Sequence, residues 1–169
     1  FGEVTLGKGI VWAKDTPNFI ANRVGTYGMA SVFRAMRDPA LTVEQVDAIF
    51  GSSLGRPSSA VFRTADIVGL DTLAHVFENL YASLPEDEER ESLKLPPIVA
   101  TLLSSGRTGE KAGAGFYKKI KGPDGKSEIL VLDLATGEYR AQEKVRFEAI
   151  GKARKAEAPA DKLKAMTTG

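Results

Sequence analysis

The sequence predicts a mainly α-helical domain of about five core helices, preceded by one leftover N-terminal strand and followed by a C-terminal β-hairpin extension. Three observations carry this prediction. Apolar residues recur three and four positions apart through most of the first hundred residues, the spacing of one helix face. Glycine and proline cut that pattern into helix-length pieces. From Gly113 onward the pattern gives way to short strand-like runs separated by turn dipeptides.

In chain order, "GIVWA" (Gly9 to Ala13) is an apolar run with β-branched and aromatic members, bounded by glycine and charge, and reads as one buried strand. A lone strand needs a partner, so its neighbours are expected upstream or in another molecule. A start at Phe1 agrees with an internal piece of a longer protein. The first helix is expected from Pro17 to Met36, capped by Asp15 or Thr16, with Ile20, Val24, Tyr27 and Phe33 inward and Pro39 ending it. Thr42 and Gln45 have capping-box spacing for a second helix that Gly51 stops, with Val43, Val46, Ile49 and Phe50 inward.

"SLGRPSS" is a loop, followed by a short third helix with Phe62, Ala65, Ile67 and Val68 inward. Asp71 is placed to cap the fourth helix, whose Leu73, Val76, Phe77, Leu80, Tyr81 and Leu84 form a strong amphipathic stripe. The acidic run "PEDEERE" reads as a solvated turn rather than a catalytic carboxylate pair, because adjacent carboxylates repel. Pro96 and Pro97 open a fifth helix closed by Gly106. A hairpin or meander follows, then a charged helical candidate from Val145 to Lys155, then a tail with linker composition.

Composition narrows the function. With 23 Lys plus Arg against 22 Asp plus Glu, there is no basic excess for a nucleic-acid backbone, so no nucleic-acid partner is expected. The absence of cysteine removes disulfides and thiolate metal sites, and fits a cytoplasmic setting. No apolar run approaches a membrane span and no signal peptide opens the chain, so no membrane partner is expected.

Few residues could carry chemistry. His75 is the single histidine and reads as a packing residue on the fourth helix; no metal-ligand set can be built around it. "GKG" and "GAG" lack the strand-to-helix context of phosphate loops and read as turns. Ser58 and Ser59 have no nearby base. The stretch from Arg107 to Lys126 is modestly basic, better explained as a solvated loop than as a phosphate contact. Asn22 is the sharpest candidate: with Phe19, Thr26, Met29 and Phe33 at helical spacings, its amide falls on the apolar face. Such an amide either ties the helix to a neighbouring loop or serves an active site.

At this point the motifs resemble a known family. "GKGIVWAKDTPNFIANRVG" is similar to the junction in NAD-dependent 3-hydroxyacyl-CoA dehydrogenases where the last strand of the nucleotide-binding domain passes into an all-α C-terminal domain. "VDAIFGSSLGRPSSAVFRTADIVGLDTLAHV", with Asp66 and the Val68 to Asp71 element, and "GRTGEKAGAGFYKK" resemble later family segments. The likeness runs from about Gly7 to Lys119. It implies the helical C-terminal domain over residues 15–119, with 1–14 ending an upstream domain, 120–157 a β-hairpin extension and helix, and 158–169 a linker or tail.

The resemblance also implies oxidation of a 3-hydroxyacyl-CoA to the 3-ketoacyl-CoA in fatty-acid β-oxidation. NAD, the catalytic histidine and its glutamate would belong to an upstream Rossmann-type domain, leaving this chain inactive alone. The family's junction-helix asparagine, beside the histidine and the substrate's thioester, falls on Asn22, and Phe19 one turn earlier would line the acyl pocket. A homo-oligomer and a downstream enoyl-CoA hydratase-like domain are further implications. One departure is clear. Many members carry a Gly-Pro-Phe run before the third helix where this chain has Ser58 to Phe62, so acyl chain-length preference is not carried over. The competing expectation is a helical interaction or dimerisation module that shares only the fold.

Overall fold

In the computed structural model the described residues are 1–36, 41–122 and 125–168. Seven α-helices and one three-stranded antiparallel sheet are formed among them. Helices α1 (Ala21–Ala35), α2 (Val43–Ile49), α3 (Phe62–Val68), α4 (Leu70–Ser83) and α5 (Pro97–Ser104) make the body. Strands β1 (Tyr117–Lys121), β2 (Ser127–Leu132) and β3 (Tyr139–Ala141) form the meander, and α6 (Glu148–Lys155) and α7 (Pro159–Thr167) close the chain. None of these helices is long and apolar enough to cross a membrane.

The five expected body helices are present, but several of their details differ. No strand forms at residues 9–13: the segment makes no ladder bonds, and Trp12 is 94% exposed. A strand is stabilised by its neighbour, and this chain supplies none there. Helix α1 begins at Ala21 rather than Pro17, because Asn18 (φ 61°) and Phe19 (φ 49°) adopt left-handed backbone that a right-handed helix cannot include. The expected role of Pro39 in ending α1 lies outside the described residues; Met36 caps the helix, its N–H bonding to the carbonyls of Val32 and Arg34. Ile20, Val24 and Tyr27 face outward, while Thr26, Ala30, Val32 and Phe33 face the core. The helix is apolar on both sides, so periodicity alone could not say which side is inward.

The α2 capping box forms as expected: the Gln45 N–H donates to Thr42 Oγ1 at 3.3 Å and the Thr42 N–H to Gln45 Oε1 at 2.9 Å. On α3 the buried stripe runs through Phe62, Ala65 and Asp66, and the expected inward residues Ile67 and Val68 are exposed. Asp71 does not cap α4. It lies in the first turn, where Lys111 Nζ donates to its carboxylate at 2.6 Å. The acidic run is anchored to α1, since Arg23 bonds Asp87 and Arg34 bonds Glu89. The tail expected to be a linker forms α7, which packs on α6.

Two carboxylates join the elements, Asp47 half-buried and Asp66 buried. Asp47 on α2 accepts the N–H groups of Val61, Phe62 and Arg63 at 2.8–3.1 Å, capping α3, which has no side-chain cap of its own. It also accepts the Tyr117 hydroxyl at 2.9 Å. Asp66 accepts the N–H groups of Phe116 (2.9 Å) and Tyr117 (2.8 Å), which fixes the start of the sheet against α3. A Cβ at Gly115 would stand 2.0 Å from Asp66 Oδ1, and one at Gly109 would stand 2.5 Å from the Asp66 carbonyl oxygen. Both positions therefore require glycine.

The rings of Phe33, Phe62 and Phe116 meet in the core, with centroids 4.5–5.9 Å apart. Arg140 on β3 donates to the buried Glu44 carboxylate on α2 at 2.6 Å, tying the extension to the body. Burial works to raise the Glu44 carboxyl; Arg140 and backbone N–H donors outweigh it and hold the group below its ordinary value.

Candidate functional site

Asn22 is the second residue of α1 and is exposed. Its position on the helix is informative. Thr26, Met29 and Phe33 follow it at i+4, i+7 and i+11, so all four share one face. Thr26 is buried (7% exposed), and Met29 and Phe33 pack against the core cluster. The core-facing stripe thus runs on past the edge of the helical body, and the first thing it presents there is a carboxamide.

That amide makes no hydrogen bond among the described residues. The expectation that it ties the helix to a neighbouring loop is therefore not met. Phe19, expected to line an acyl pocket, is 57% exposed beside the same end of the helix. Ile10, Val11 and Trp12 in the preceding segment are also exposed, an apolar concentration larger than the scattered residues usual on a free surface. Asn18, between them, has its Nδ2 buried without a partner. The α1 N-terminus has no side-chain cap, so its first N–H groups are open as well.

The other candidates resolve into structural roles. His75 is exposed on α4, not packed as expected. Ser59 Oγ pairs with Thr64 Oγ1 at 2.8 Å, with no base involved. In the basic stretch, Arg107 donates to the Gly137 carbonyl and lies over the Tyr139 ring, and Lys111 pairs with Asp71. Among the clefts in the described residues are one of about 750 Å³ beside Phe33 and Ile98 and one of about 590 Å³ beside Asp47 and Ser58; neither of these is lined by Asn22.

Nicotinamide-nucleotide binding needs a glycine turn between a strand and a helix, with N–H groups free for the pyrophosphate. The two glycine-rich stretches singled out in the sequence, residues 7–9 and 113–115, are not turns of that kind. Gly115 serves the close approach of Asp66, Gly113 takes the left-handed backbone (φ 74°) of a tight turn, and Gly7 and Gly9 precede no helix. Asp47 joins α2, α3 and β1 with no sign of this in the sequence. Asp47 gave no signal beyond a charged residue on an apolar helix, because its partners lie 14 to 16 and 70 positions away.

Comparison with known proteins fits this geometry. Residues 19–119 match the family described as 3-hydroxyacyl-CoA dehydrogenase, C-terminal domain. A Bacillus subtilis protein named as a 3-hydroxyacyl-CoA dehydrogenase is 46% identical over 166 residues, covering 98% of this chain and 20% of that protein. A Rickettsia felis protein named as the trifunctional enzyme of a fatty acid oxidation complex is 32% identical over 142 residues, covering 83% of this chain and 20% of that protein. The crystal structure of Mycobacterium tuberculosis FadB2 superposes with a TM-score of 0.58 at 30% identity, over 70% of this chain and 40% of that one. The chain spans about a fifth of the length of the two relatives named. With the family's segments matched in order from Phe19 to Lys119, the chain belongs to the 3-hydroxyacyl-CoA dehydrogenase C-terminal domain family.

Proposed function

We propose that this chain is the helical half of an NAD-dependent 3-hydroxyacyl-CoA dehydrogenase and completes an active site at its boundary with a Rossmann-type domain. The reaction is oxidation of a 3-hydroxyacyl-CoA to the 3-ketoacyl-CoA in fatty-acid β-oxidation. The observation that carries this reading is Asn22, a carboxamide on the core-facing stripe of α1 with nothing over it. NAD, the proton-accepting histidine and its glutamate belong to the other domain, so this chain alone is inactive. NAD supplies the hydride acceptor when bound there.

Within the completed site the Asn22 amide has both a donor and an acceptor to offer. Its Nδ2–H groups hold the thioester carbonyl and its Oδ1 accepts from a group on the facing domain, which fixes the substrate's reacting end. Phe19 forms part of the acyl wall. The outward apolar residues Ile20, Val24 and Tyr27 lie on a different side of α1 and suit contact with a second copy, in keeping with a homo-oligomer. The trifunctional relative supports a parent with further domains; a downstream enoyl-CoA hydratase-like domain is part of the same proposal. A cysteine-free chain accords with the cytoplasm.

The test mixes this chain with the separately produced nucleotide-binding domain and follows NADH formation from 3-hydroxybutyryl-CoA. Activity is expected only in the mixture. Asn22→Ala should lower kcat roughly tenfold to a hundredfold, the worth of about 1.5–3 kcal/mol of polar contact, with unchanged thermal unfolding. An unchanged rate removes Asn22 from the site. A mixture that binds without turnover favours the interaction module.

A further inference from the structure

Six arginines among the described residues are half-buried: Arg23, Arg56, Arg63, Arg90, Arg107 and Arg140. Five of them have an oxygen partner: Asp87, Glu110, the Tyr81 carbonyl, the Gly137 carbonyl and Glu44 respectively. Arg56 has none among the described residues. A guanidinium carries five N–H donors and stays charged, so a half-buried one with no oxygen partner in the protein has its donors open to water or to a ligand. The fold nevertheless holds it in place. Its Cζ lies 6.0 Å from the Phe50 ring centroid, and its Nη2 lies 3.0 Å from where a Cβ on Gly28 would stand. Gly28 is inside α1, where glycine costs about 1 kcal/mol relative to alanine. The helix gives up that stability at the point where the guanidinium approaches.

Arg56 is also placed relative to Asn22. Gly28 follows Asn22 by six residues, about 9 Å along the helix axis. Gly25 lies between them in both height and angle, and a Cβ there would meet nothing within 4 Å. The surface of α1 between the exposed amide and the guanidinium thus carries no side chain at Gly25. Resting on the reading of Asn22 as the residue beside the thioester, we propose that Arg56 anchors the substrate by binding an oxyanion that the substrate carries. Two sources share this chemistry: a carboxylate at the far end of a short acyl chain, and a phosphate of the coenzyme. Arginine suits both because its planar fork matches either oxyanion in a two-point contact.

The experiment is steady-state kinetics on the protein in which this chain is joined to its nucleotide-binding domain. Three substrates are compared: 3-hydroxyadipyl-CoA, 3-hydroxyhexanoyl-CoA and 3-hydroxyhexanoyl-pantetheine. Arg56→Gln is expected to raise KM at least tenfold for the substrates bearing the recognised anion relative to those lacking it, and Arg56→Lys to recover part of the loss. A loss confined to the adipyl thioester assigns the anion to the acyl terminus. A loss on both CoA thioesters, larger than on the pantetheine thioester, assigns it to phosphate.

An equal effect on all three substrates, or none, overturns the anchor. Gly28→Ala is the second variant. It displaces the guanidinium while improving helix propensity, so it should raise KM for the same substrates without lowering Tm, and it decides the matter if Arg56→Gln folds poorly. Turnover of the substrates with indifference to both variants sinks the anchor alone. No turnover of any substrate by the joined protein sinks the underlying reading with it.

Discussion

Asp66 illustrates how one side chain can define a motif. Its two carboxylate oxygens take the N–H groups of Phe116 and Tyr117, and its bulk forces glycine at 115. The glycine-rich "GAGFY" stretch, which could be mistaken for a phosphate loop, is thus shaped by a carboxylate. Burial pushes the Asp66 carboxyl up to about 6, against the pull of the two N–H donors and Arg63. In the unfolded chain it titrates near its ordinary value of about 3.9. Between these values the folded protein holds the proton more tightly, so Asp66 adds stability as the pH falls towards 4 and loses that contribution as the pH rises through 6.

In urea titrations, the unfolding free energy of the native chain relative to Asp66→Asn should increase by about 2 kcal/mol from about pH 7 to about pH 4. A difference that is flat or shrinks over that range contradicts the assignment. Tyr117 behaves in the complementary sense. Burial and the neighbouring Asp47 push its phenol upward, so it stays protonated and donates to Asp47.

Among the elements, α2 and α3 show two ways of ending a helix. Helix α2 carries its own capping box, and Thr42→Ala should cost about 1 kcal/mol, read as a lowered urea midpoint with unchanged m. A loss within a few tenths would mean that the Asp47 network holds α2 without help from its cap. Helix α3 borrows its cap from Asp47, some fifteen positions upstream. The first case was legible in sequence because Thr42 and Gln45 stand three apart. The second was not, since nothing local links Asp47 to the N–H groups of Val61, Phe62 and Arg63. Helix α1 is intermediate: its existence was plain from spacing, but its start depended on Asn18 and Phe19 entering left-handed backbone, against the local preference of phenylalanine.

For the whole molecule, the proposed function places the uncovered end of α1 and the exposed apolar segment before it against the nucleotide-binding domain. Trp12, the single tryptophan, reports on it directly. Emission from the isolated chain should lie at the wavelength of a hydrated indole and shift to the blue when the nucleotide-binding domain is added. Emission that does not move on addition would place the domain contact elsewhere and weaken the case for Asn22.

The sequence by itself determined the five body helices, the capping box and the meander, because each is written in spacings of three, four or two positions or in turn dipeptides. Tertiary structure alone decided which side of α1 is buried, that Asp47 and Asp66 bind the elements together, and that the Asn22 amide and the Arg56 guanidinium both lack a hydrogen-bond partner among the described residues. Those facts depend on contacts between positions far apart in the chain, and local periodicity carries no information about which distant groups will meet.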